Sequence, residues 1–276
     1  MKELPICQVL NCFKYPDDDF VSYICYGLDA HKRIGFDCVN LSLERNELDL
    51  NTHRKELDAI IRYADDIGMP FRLSHLPFLF ESDQMMQNAI DITKLLGVDY
   101  TVVHPIAPLM PAAEYNEMAA YEQNKSYLSN IVEYANKVGV KVALENMRLG
   151  YLDGSVKRYC ADMESLIRQA DELGIGICWD TGHAHAAGHI QSEAIKAAGS
   201  RIKMLHINDN FGAGDYHVAP FVGTIDWQDT MDGLSAIGFD GILSFEVSTK
   251  YMQDEEAFAY GQYLHTAAKK LLKMMD

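Results

Sequence analysis

The sequence has few basic residues relative to acidic ones, and this shortage excludes one broad class of function. Its 276 residues include 24 Lys and Arg against 40 Asp and Glu, which gives a formal net charge of −16 at pH 7. A general nucleic-acid-binding protein needs a concentrated basic face for the phosphates, so we expect no nucleic-acid partner. A small anionic substrate is still allowed, because one or two local cations are enough to bind it.

Cysteine pairs and long apolar segments are also missing. The six cysteines are Cys7, Cys12, Cys25, Cys38, Cys160 and Cys178. No two of them are spaced as CxxC, and most lie in apolar segments, as expected of reduced core thiols in a cytoplasmic protein. The first residues contain no apolar stretch typical of a signal peptide, and no run approaches the roughly 20 apolar residues of a membrane span. We therefore expect a cytoplasmic protein without a membrane partner.

The chain has no Pro/Gly/Ser-rich linker or block of like charges that would divide it, so we expect one domain over residues 1–276. Strand-like and helix-like segments alternate from end to end. The predicted strands are Ile6–Leu10, Phe36–Leu41, Phe71–His75, Tyr100–His104, Lys141–Glu145, Gly176–Asp180, Ile202–Ile207 and Gly241–Val247. Eight such units of roughly 30 residues predict an α/β fold, a (β/α)8 barrel, whose usual size is about 250 residues. A doubly wound open sheet is the alternative, but no GxGxxG follows the first strand.

Glycine and small polar residues indicate where helices begin and end. The predicted helices include His53–Ile67, Gln84–Leu96, Ala112–Val138, Asp162–Leu173, Asp226–Ile237 and Asp254–Met275. Glycine can adopt the left-handed conformation that ends a helix, and we predict such ends at Gly35, Gly68, Gly97, Gly139, Gly174, Gly199 and Gly238. Plausible N-terminal caps are Thr52, Ser82, Asp162, Ser192 and Asp226.

Residues able to bind a metal ion lie at the ends of most predicted strands. They are His75, His104, Glu145, Asp180, His206 and Glu246, with His183 soon after Asp180 and with Asp215 and His217 after His206. A single His at a strand end is more often a hydrogen-bonded structural residue than a ligand. Glu145 and Glu246, however, lie in apolar strands, where an unpaired carboxylate is costly and a divalent cation is a suitable partner. Because the strands of a barrel end on one face, the set predicts a metal site there.

At these residues the chain resembles the sugar phosphate isomerase/epimerase superfamily, the xylose isomerase-like TIM barrels. The superfamily includes ketose 3-epimerases, inosose-type dehydratases and isomerases, and the endonuclease IV type of DNA-repair enzyme. The matching segments are Ser74–Pro77, Val103–Pro105, Leu144–Asn146, Trp179–His183, Leu205–Asp209, Phe221–Trp227 and Phe245–Val247. They cover essentially the whole barrel and, as a set, are specific to the superfamily but not to one reaction.

The resemblance implies an isomerase or epimerase that acts on a small-molecule sugar with one divalent metal ion. The implied ligands are Glu145, Asp180, His206 and Glu246. This oxygen-rich set favours Mn²⁺, with Zn²⁺, Mg²⁺ or Co²⁺ as alternatives. One glutamate would remove a proton next to the carbonyl, and the other would return one from the opposite face of a metal-stabilised enediolate. The resemblance also implies that His183 contacts substrate oxygens and that His75 and His104 line the same site.

Other functions within the superfamily stay open. Endonuclease IV-type enzymes bind three zinc ions through nine residues, and this chain has suitable residues at all nine matching positions, including Asp215 and His217. The acidic charge, the short early loops and the lack of Arg residues around Gly212–His217 weigh against a nuclease. An inosose-type dehydratase would share the proton abstraction but expel water. The intact glutamate pair weighs against a non-catalytic sugar-binding relative.

The substrate itself is not determined by these motifs. Arg148, Lys157 and Arg158 follow the fifth predicted strand and could meet a phosphate, although a solvated loop is the simpler interpretation. The resemblance therefore does not establish that the sugar is phosphorylated. Many relatives are homodimers or homotetramers, and no stripe of residues in this sequence favours either state.

Overall fold

The computed structural model describes residues 3–10, 20–43, 48–149, 152–247, 249, 252 and 254–275. Eight parallel strands form its main sheet: β1 (Ile6–Val9), β2 (Cys38–Ser42), β3 (Phe71–His75), β4 (Tyr100–Val103), β6 (Val142–Glu145), β8 (Gly176–Asp180), β9 (Ile202–His206) and β10 (Leu243–Phe245). Two short strands, β5 (Met110–Pro111) and β7 (Val156–Lys157), pair antiparallel in the loops that follow β4 and β6.

The main sheet closes into a barrel. Its strand order is β10-β1-β2-β3-β4-β6-β8-β9, and a parallel bridge between Ile207 and Phe245 joins the two outer strands. The backbone N–H of Ile207 donates to the carbonyl of Ser244 at 2.8 Å, and that of Glu246 donates to Ile207 at 3.1 Å. The predicted (β/α)8 barrel is therefore confirmed, and each predicted strand lies within two residues of its observed bounds.

Helices surround the barrel. They are α1 (Phe20–Ile34), α2 (Leu50–Ile67), α3 (Asp83–Leu96), α4 (Glu117–Val138), α5 (Met163–Leu173), α6 (Thr181–Ala186), α7 (Gln191–Ala198), α8 (Trp227–Ala236) and α9 (Asp254–Met274). Helix α4 begins at Glu117 rather than at the predicted Ala112, because Met110–Pro111 pairs as β5 and a turn follows. No helix in the described ranges is both long and apolar enough to cross a bilayer.

The predicted helix ends are largely confirmed. Side chains cap α3, α5 and α8 at Ser82, Asp162 and Asp226. The predicted cap Thr52 is wrong, because α2 begins earlier and Asp49 accepts from the N–H groups of its first turn. Ser192 is also wrong, since Ile190 precedes α7 and makes no side-chain cap. Every predicted helix-ending glycine has a positive φ, between +58° and +104°.

Apolar side chains fill both the space between strands and helices and the interior of the barrel. The interior cluster consists of Cys7, Cys38, Leu73, Val102, Ala143, Cys178, Met204 and Ile242. Three of these are thiols, which confirms that cysteines serve as small core side chains here. No disulfide joins the cysteines that the structure describes, and Cys12 lies outside the described residues, as do the early loops at 11–19 and 44–47.

We expect His31 in α1 to make the fold sensitive to acid. Its ring is fully buried, and Nδ1 lies 2.7 Å from the carbonyl oxygen of Gly27. Burial lowers the pKa of His31 to about 4, whereas an unfolded histidine has a pKa of about 6.5. Neutral His31 therefore contributes stability that is fully present above about pH 6.5 and is lost as the pH falls toward 4, by about 3 kcal/mol.

Urea unfolding between pH 7 and pH 4.5 measures this effect. The free energy of unfolding should fall more steeply with acid in the wild type than in His31→Gln, which keeps an amide near Gly27 but cannot titrate. Equal slopes in the two proteins would rule out His31 as the cause.

Candidate active site

The barrel brings all the predicted site residues to one end. They are the last residues of β3, β6, β8 and β9 (His75, Glu145, Asp180 and His206), the residues directly after β4 and β10 (His104 and Glu246), His183 in α6, and Asp215 and His217 after β9. Because the strands are parallel, their carboxyl ends share one face, where barrel enzymes place their chemistry. The side chains form several groups, and within each group the possible metal-binding atoms lie within 4.8 Å of one another.

Glu145, Asp180, His206 and Glu246 form the largest of these groups, named here the carboxylate quartet. Nδ1 of His206 lies 3.0 Å from Oε2 of Glu246 and 3.2 Å from Oε2 of Glu145. Glu145, Asp180 and His206 are buried, whereas 23% of the Glu246 side chain is exposed. Solvent therefore reaches the quartet at Glu246, whereas its other three residues are shielded by the barrel.

Histidines keep the two glutamates of the quartet ionised. Burial by itself raises the pKa of Glu145, but the charges of His206 and His104 outweigh it and hold that pKa well below its usual range. Burial likewise opposes ionisation of Glu246, and His206 and His217 lower its pKa to about 2. Both side chains are therefore carboxylates at neutral pH, the form that accepts a proton or binds a cation.

The residues of the quartet fit a divalent metal ion. Neither ring nitrogen of the buried His206 makes a well-aligned hydrogen bond within the described part of the chain, although Nδ1 lies close to oxygens of Glu145 and Glu246. Burial raises the pKa of Asp180 to about 6, and the nearby Glu145 and Glu246 add to that shift. Three converging carboxylates and an imidazole nitrogen are the donor set that Mn²⁺, Mg²⁺ or Zn²⁺ takes in proteins.

Three further histidines are oriented by the backbone. Nδ1 lies within hydrogen-bonding distance of a carbonyl oxygen in each: His75 with Leu76 at 2.6 Å, His183 with Asn146 at 2.8 Å, and His217 with Glu246 at 2.8 Å. When Nδ1 donates to the backbone, Nε2 is the nitrogen left to bind a metal ion or a substrate hydroxyl. Ring orientation and tautomer are therefore set by the fold rather than by the ligand.

These rings belong to two groups beside the quartet that could also hold a metal ion. In one, Nε2 of His104 lies 2.9 Å from Oε2 of Glu145 and 3.2 Å from Nε2 of His75. In the other, Oδ1 of Asp215 lies 3.0 Å from Nε2 of His217 and 3.4 Å from Nε2 of His183. Glu145 connects the first group to the quartet, so the site offers more metal-binding atoms than a single ion requires.

Two asparagines that no pattern in the sequence singled out hold Asp180 in place. The side chain of Asn146 bonds both backbone groups of Asp180, at 2.7 and 2.9 Å. Asn208 donates to Oδ2 of Asp180 at 2.7 Å, while Oδ1 accepts from the backbone N–H of His183 at 2.6 Å. Gly182 permits this close packing, because a Cβ there would lie 1.9 Å from Oδ1 of Asn208.

Asp209 is a second buried residue whose role was missed. Its carboxylate accepts from the backbone N–H of Asn210 at 2.9 Å, Ile225 at 3.1 Å and Phe221 at 3.1 Å, and from Nε1 of Trp227 at 3.0 Å. These donors lie on both sides of the segment that carries Asp215 and His217. Asp209 therefore fastens the loop after β9 to the barrel end. No pattern in the sequence indicated that hydrogen-bond donors at residues 221, 225 and 227 would meet this carboxylate.

The site opens into a cavity of about 260 Å³. Six of the predicted site residues line it, together with Phe78, Met147, Arg148 and Arg158. Phe78 packs on His104 with ring centroids 4.4 Å apart and supplies an apolar wall. The interpretation of the segment after β6 as a solvated loop is correct for the exposed Lys157 and wrong for the two arginines.

Curated relatives match this chain at low identity. A protein of Sinorhizobium fredii that is described as uncharacterized is 26% identical over 206 residues, which are 74% of this chain and 64% of that protein. The inosose isomerase of Bacillus licheniformis is 26% identical over 192 residues, covering 64% of this chain and 67% of the relative. The fructoselysine 3-epimerase of Shigella flexneri is 25% identical over 186 residues, which are 65% of this chain and 63% of that protein. The chain thus spans less than two thirds of the length of the Sinorhizobium protein.

Solved structures resemble the barrel more completely. A D-tagatose 3-epimerase-like protein matches with a TM-score of 0.74 at 21% identity, over 99% of this chain and 98% of that one. An L-ribulose 3-epimerase matches with a TM-score of 0.76 at 17% identity, over 99% of this chain and 96% of that one. At these identities the similarity establishes the fold.

A family model described as a xylose isomerase-like TIM barrel matches residues 28–267. The matched range contains every strand from β2 to β10 and all nine residues of the candidate site. The resemblance that the strand-end motifs predicted is confirmed. The chain belongs to the family of xylose isomerase-like TIM barrels.

Proposed function

We propose that this protein is a divalent-metal-dependent isomerase or epimerase that acts on a sugar. The observation that carries the proposal is the carboxylate quartet, in which Glu145, Asp180, His206 and Glu246 offer ligand atoms within 4.8 Å of one another. The relatives named inosose isomerase and fructoselysine 3-epimerase support the same chemical class. Both names describe a rearrangement within one molecule that leaves its atomic composition unchanged.

In the proposed reaction the two glutamates move the proton. A bound divalent cation supplies Lewis-acid polarisation of the substrate carbonyl, which acidifies the neighbouring C–H. One glutamate, as the carboxylate, takes that proton, and the other must first take up a proton from solvent before it can return one to the opposite face, so that each turnover exchanges their protonation states. His206 lies between the two carboxylates, with its Nδ1 within 3.2 Å of an oxygen of each.

The remaining side chains would bind and orient the sugar. His104 and His183 line the cavity beside Glu145 and offer ring nitrogens to substrate hydroxyls. Phe78 covers His104 and excludes water from that side. A cavity of about 260 Å³ is small for a ligand pocket and suits a molecule of monosaccharide size.

The test combines metal analysis with a panel of ketoses assayed in deuterated water. We expect about one divalent metal ion per chain, with Mn²⁺ favoured, and solvent deuterium at the carbon next to the carbonyl. Removing the metal with a chelator should abolish exchange, and adding Mn²⁺ should restore it. A dehydratase would instead release a product that has lost water, visible in the same spectra. Exchange that persists after complete metal removal would contradict the proposal.

A multi-zinc phosphoesterase of the endonuclease IV type is the second candidate. The two additional groups, built around His104 and around Asp215, are the observation that favours it. The formal charge of −16 disfavours a DNA substrate. About three zinc ions per chain, together with cleavage of a duplex containing an abasic site, would establish this function in place of the first.

A further inference from the structure

Two arginines form part of the wall of the active-site cavity. Arg148 follows Glu145 by three residues, and Arg158 lies directly after β7; both line the same cavity as Glu145 and Glu246. Nε of Arg148 lies 3.2 Å from Oδ2 of Asp215, so this cation is already partly neutralised. The cavity therefore contains two guanidinium groups as well as the carboxylates of Glu145, Glu246 and Asp215, and Asp215 pairs with one of the guanidinium groups.

The short ribbon places Arg158 at the cavity. Met110 pairs with Lys157 in β5 and β7, which brings the end of β7 back to the loop that follows β4. Side chains alternate in direction along a strand. Lys157 is accordingly exposed to solvent, while Arg158 is half-buried and reaches the cavity.

Arg158 has no carboxylate at salt-bridge distance among the described residues. Its Nε donates to the carbonyl of Ala107 at 2.6 Å, and Nη1 donates to the carbonyl of Arg148 at 3.4 Å. Burial lowers the pKa of Arg158 and the charge of Arg148 lowers it further, while the more distant carboxylates of Asp215 and Glu145 offset only part of this effect. A half-buried cation beside a second cation is costly unless an anion compensates it.

We propose that Arg158 and Arg148 bind an anionic oxygen group of the substrate, so that the protein acts on a sugar phosphate or a sugar acid. This inference rests on the proposed function, because it places the reacting carbonyl at Glu145 and Glu246 in the same cavity. The planar guanidinium fork matches the oxygens of a phosphate or a carboxylate through paired hydrogen bonds. The carboxylates of Glu145 and Glu246 repel such a group, so the arginines are the part of the cavity wall that would bind it.

The experiment compares three substrates that differ only at the end remote from the carbonyl: a ketose, its terminal phosphate ester and the corresponding sugar acid. Turnover is followed as deuterium incorporation by the metal-loaded protein. We expect the KM of an anionic substrate to lie about 10- to 100-fold below that of the neutral ketose, since hydrogen bonds between charged groups have this strength. Whichever anion is preferred identifies the source of the charge.

Arg158→Gln should raise the KM of the anionic substrate about 10-fold or more and weaken competitive inhibition by inorganic phosphate to a similar extent. Lys157→Gln removes the same charge one residue away on the exposed side of β7, and should change neither quantity. Arg158→Lys should recover part of the affinity. If loss of the backbone contacts of Arg158 unfolds the protein, Arg148→Gln, whose guanidinium pairs with Asp215, provides the same comparison.

The outcomes separate this inference from the proposed function. Deuterium exchange with equal KM values for neutral and anionic substrates, unchanged in both arginine variants, would overturn the anion site and leave the isomerase proposal standing. Calorimetric binding of inorganic phosphate that depends on Arg158, without deuterium exchange in any sugar, would support the anion site and remove the isomerase proposal.

Discussion

Glu145→Gln and Glu246→Gln are each expected to lower turnover by at least about 10³-fold. An amide keeps the shape of the side chain but cannot accept the proton from carbon, and general acid–base catalysis alone contributes about 10²- to 10⁴-fold. Each glutamate also belongs to the carboxylate quartet, so an amide there weakens metal binding as well. Turnover of the preferred sugar and the metal content of each variant should be measured on the same samples.

Deuterium exchange distinguishes proton transfer from a loss of metal. In the proposed epimerase, one glutamate acts on each face of the reacting carbon. A variant that lacks only the proton-returning glutamate can still remove the substrate proton and exchange it with solvent, but it forms no product. Starting from each epimer in turn, the two glutamine variants should therefore show opposite patterns. Glu193→Gln, an exposed position on α7, is the matched control and should behave like the wild type. Near-normal turnover in either active-site variant would rule out the two-carboxylate mechanism.

The barrel was predictable because its strands and helix ends carry strong local signals. Strands covered on both faces are nearly continuous apolar runs, as in Gly176–Asp180, and glycine ends the helices between them. The short elements β5, β7 and α6 gave no such signal, since two to six residues are too few for a periodic pattern. The missed cap of α2 has a similar origin, because Asp49 lies before the segment whose apolar spacing identified the helix.

The candidate site was predictable for the residues that the strands place directly. Glu145 and Asp180 end their strands, so the barrel itself determines where their side chains lie. Arg158 could not be placed in this way, because its position depends on the pairing of two-residue strands that follow β4 and β6. The role of Asp209 was equally hidden, since three of its four donors lie 12 to 18 residues further along the chain.

Asp209→Ala is expected to destabilise the protein by about 3–5 kcal/mol. The carboxylate of Asp209 is completely buried and accepts four hydrogen bonds, so its removal leaves four N–H donors without their partner. Each buried donor without a partner costs about 1–3 kcal/mol, although relaxation of the loop recovers part of the sum. Gly223 packs closely on this carboxylate, since a Cβ there would lie 2.3 Å from Oδ1 of Asp209.

Asp209→Asn provides the graded comparison. Its amide oxygen can still accept from two of the four donors, whereas its NH₂ group faces the other two, so the loss should fall between zero and that of alanine. Urea unfolding at neutral pH measures both variants, with Asp215→Ala as the control on the same loop. Asp215 is 35% exposed and contacts His183, His217 and Arg148, so its loss should alter metal or substrate binding with little change in global stability. If Asp209→Ala unfolds at the same urea concentration as Asp215→Ala, Asp209 is not the residue that fastens this loop.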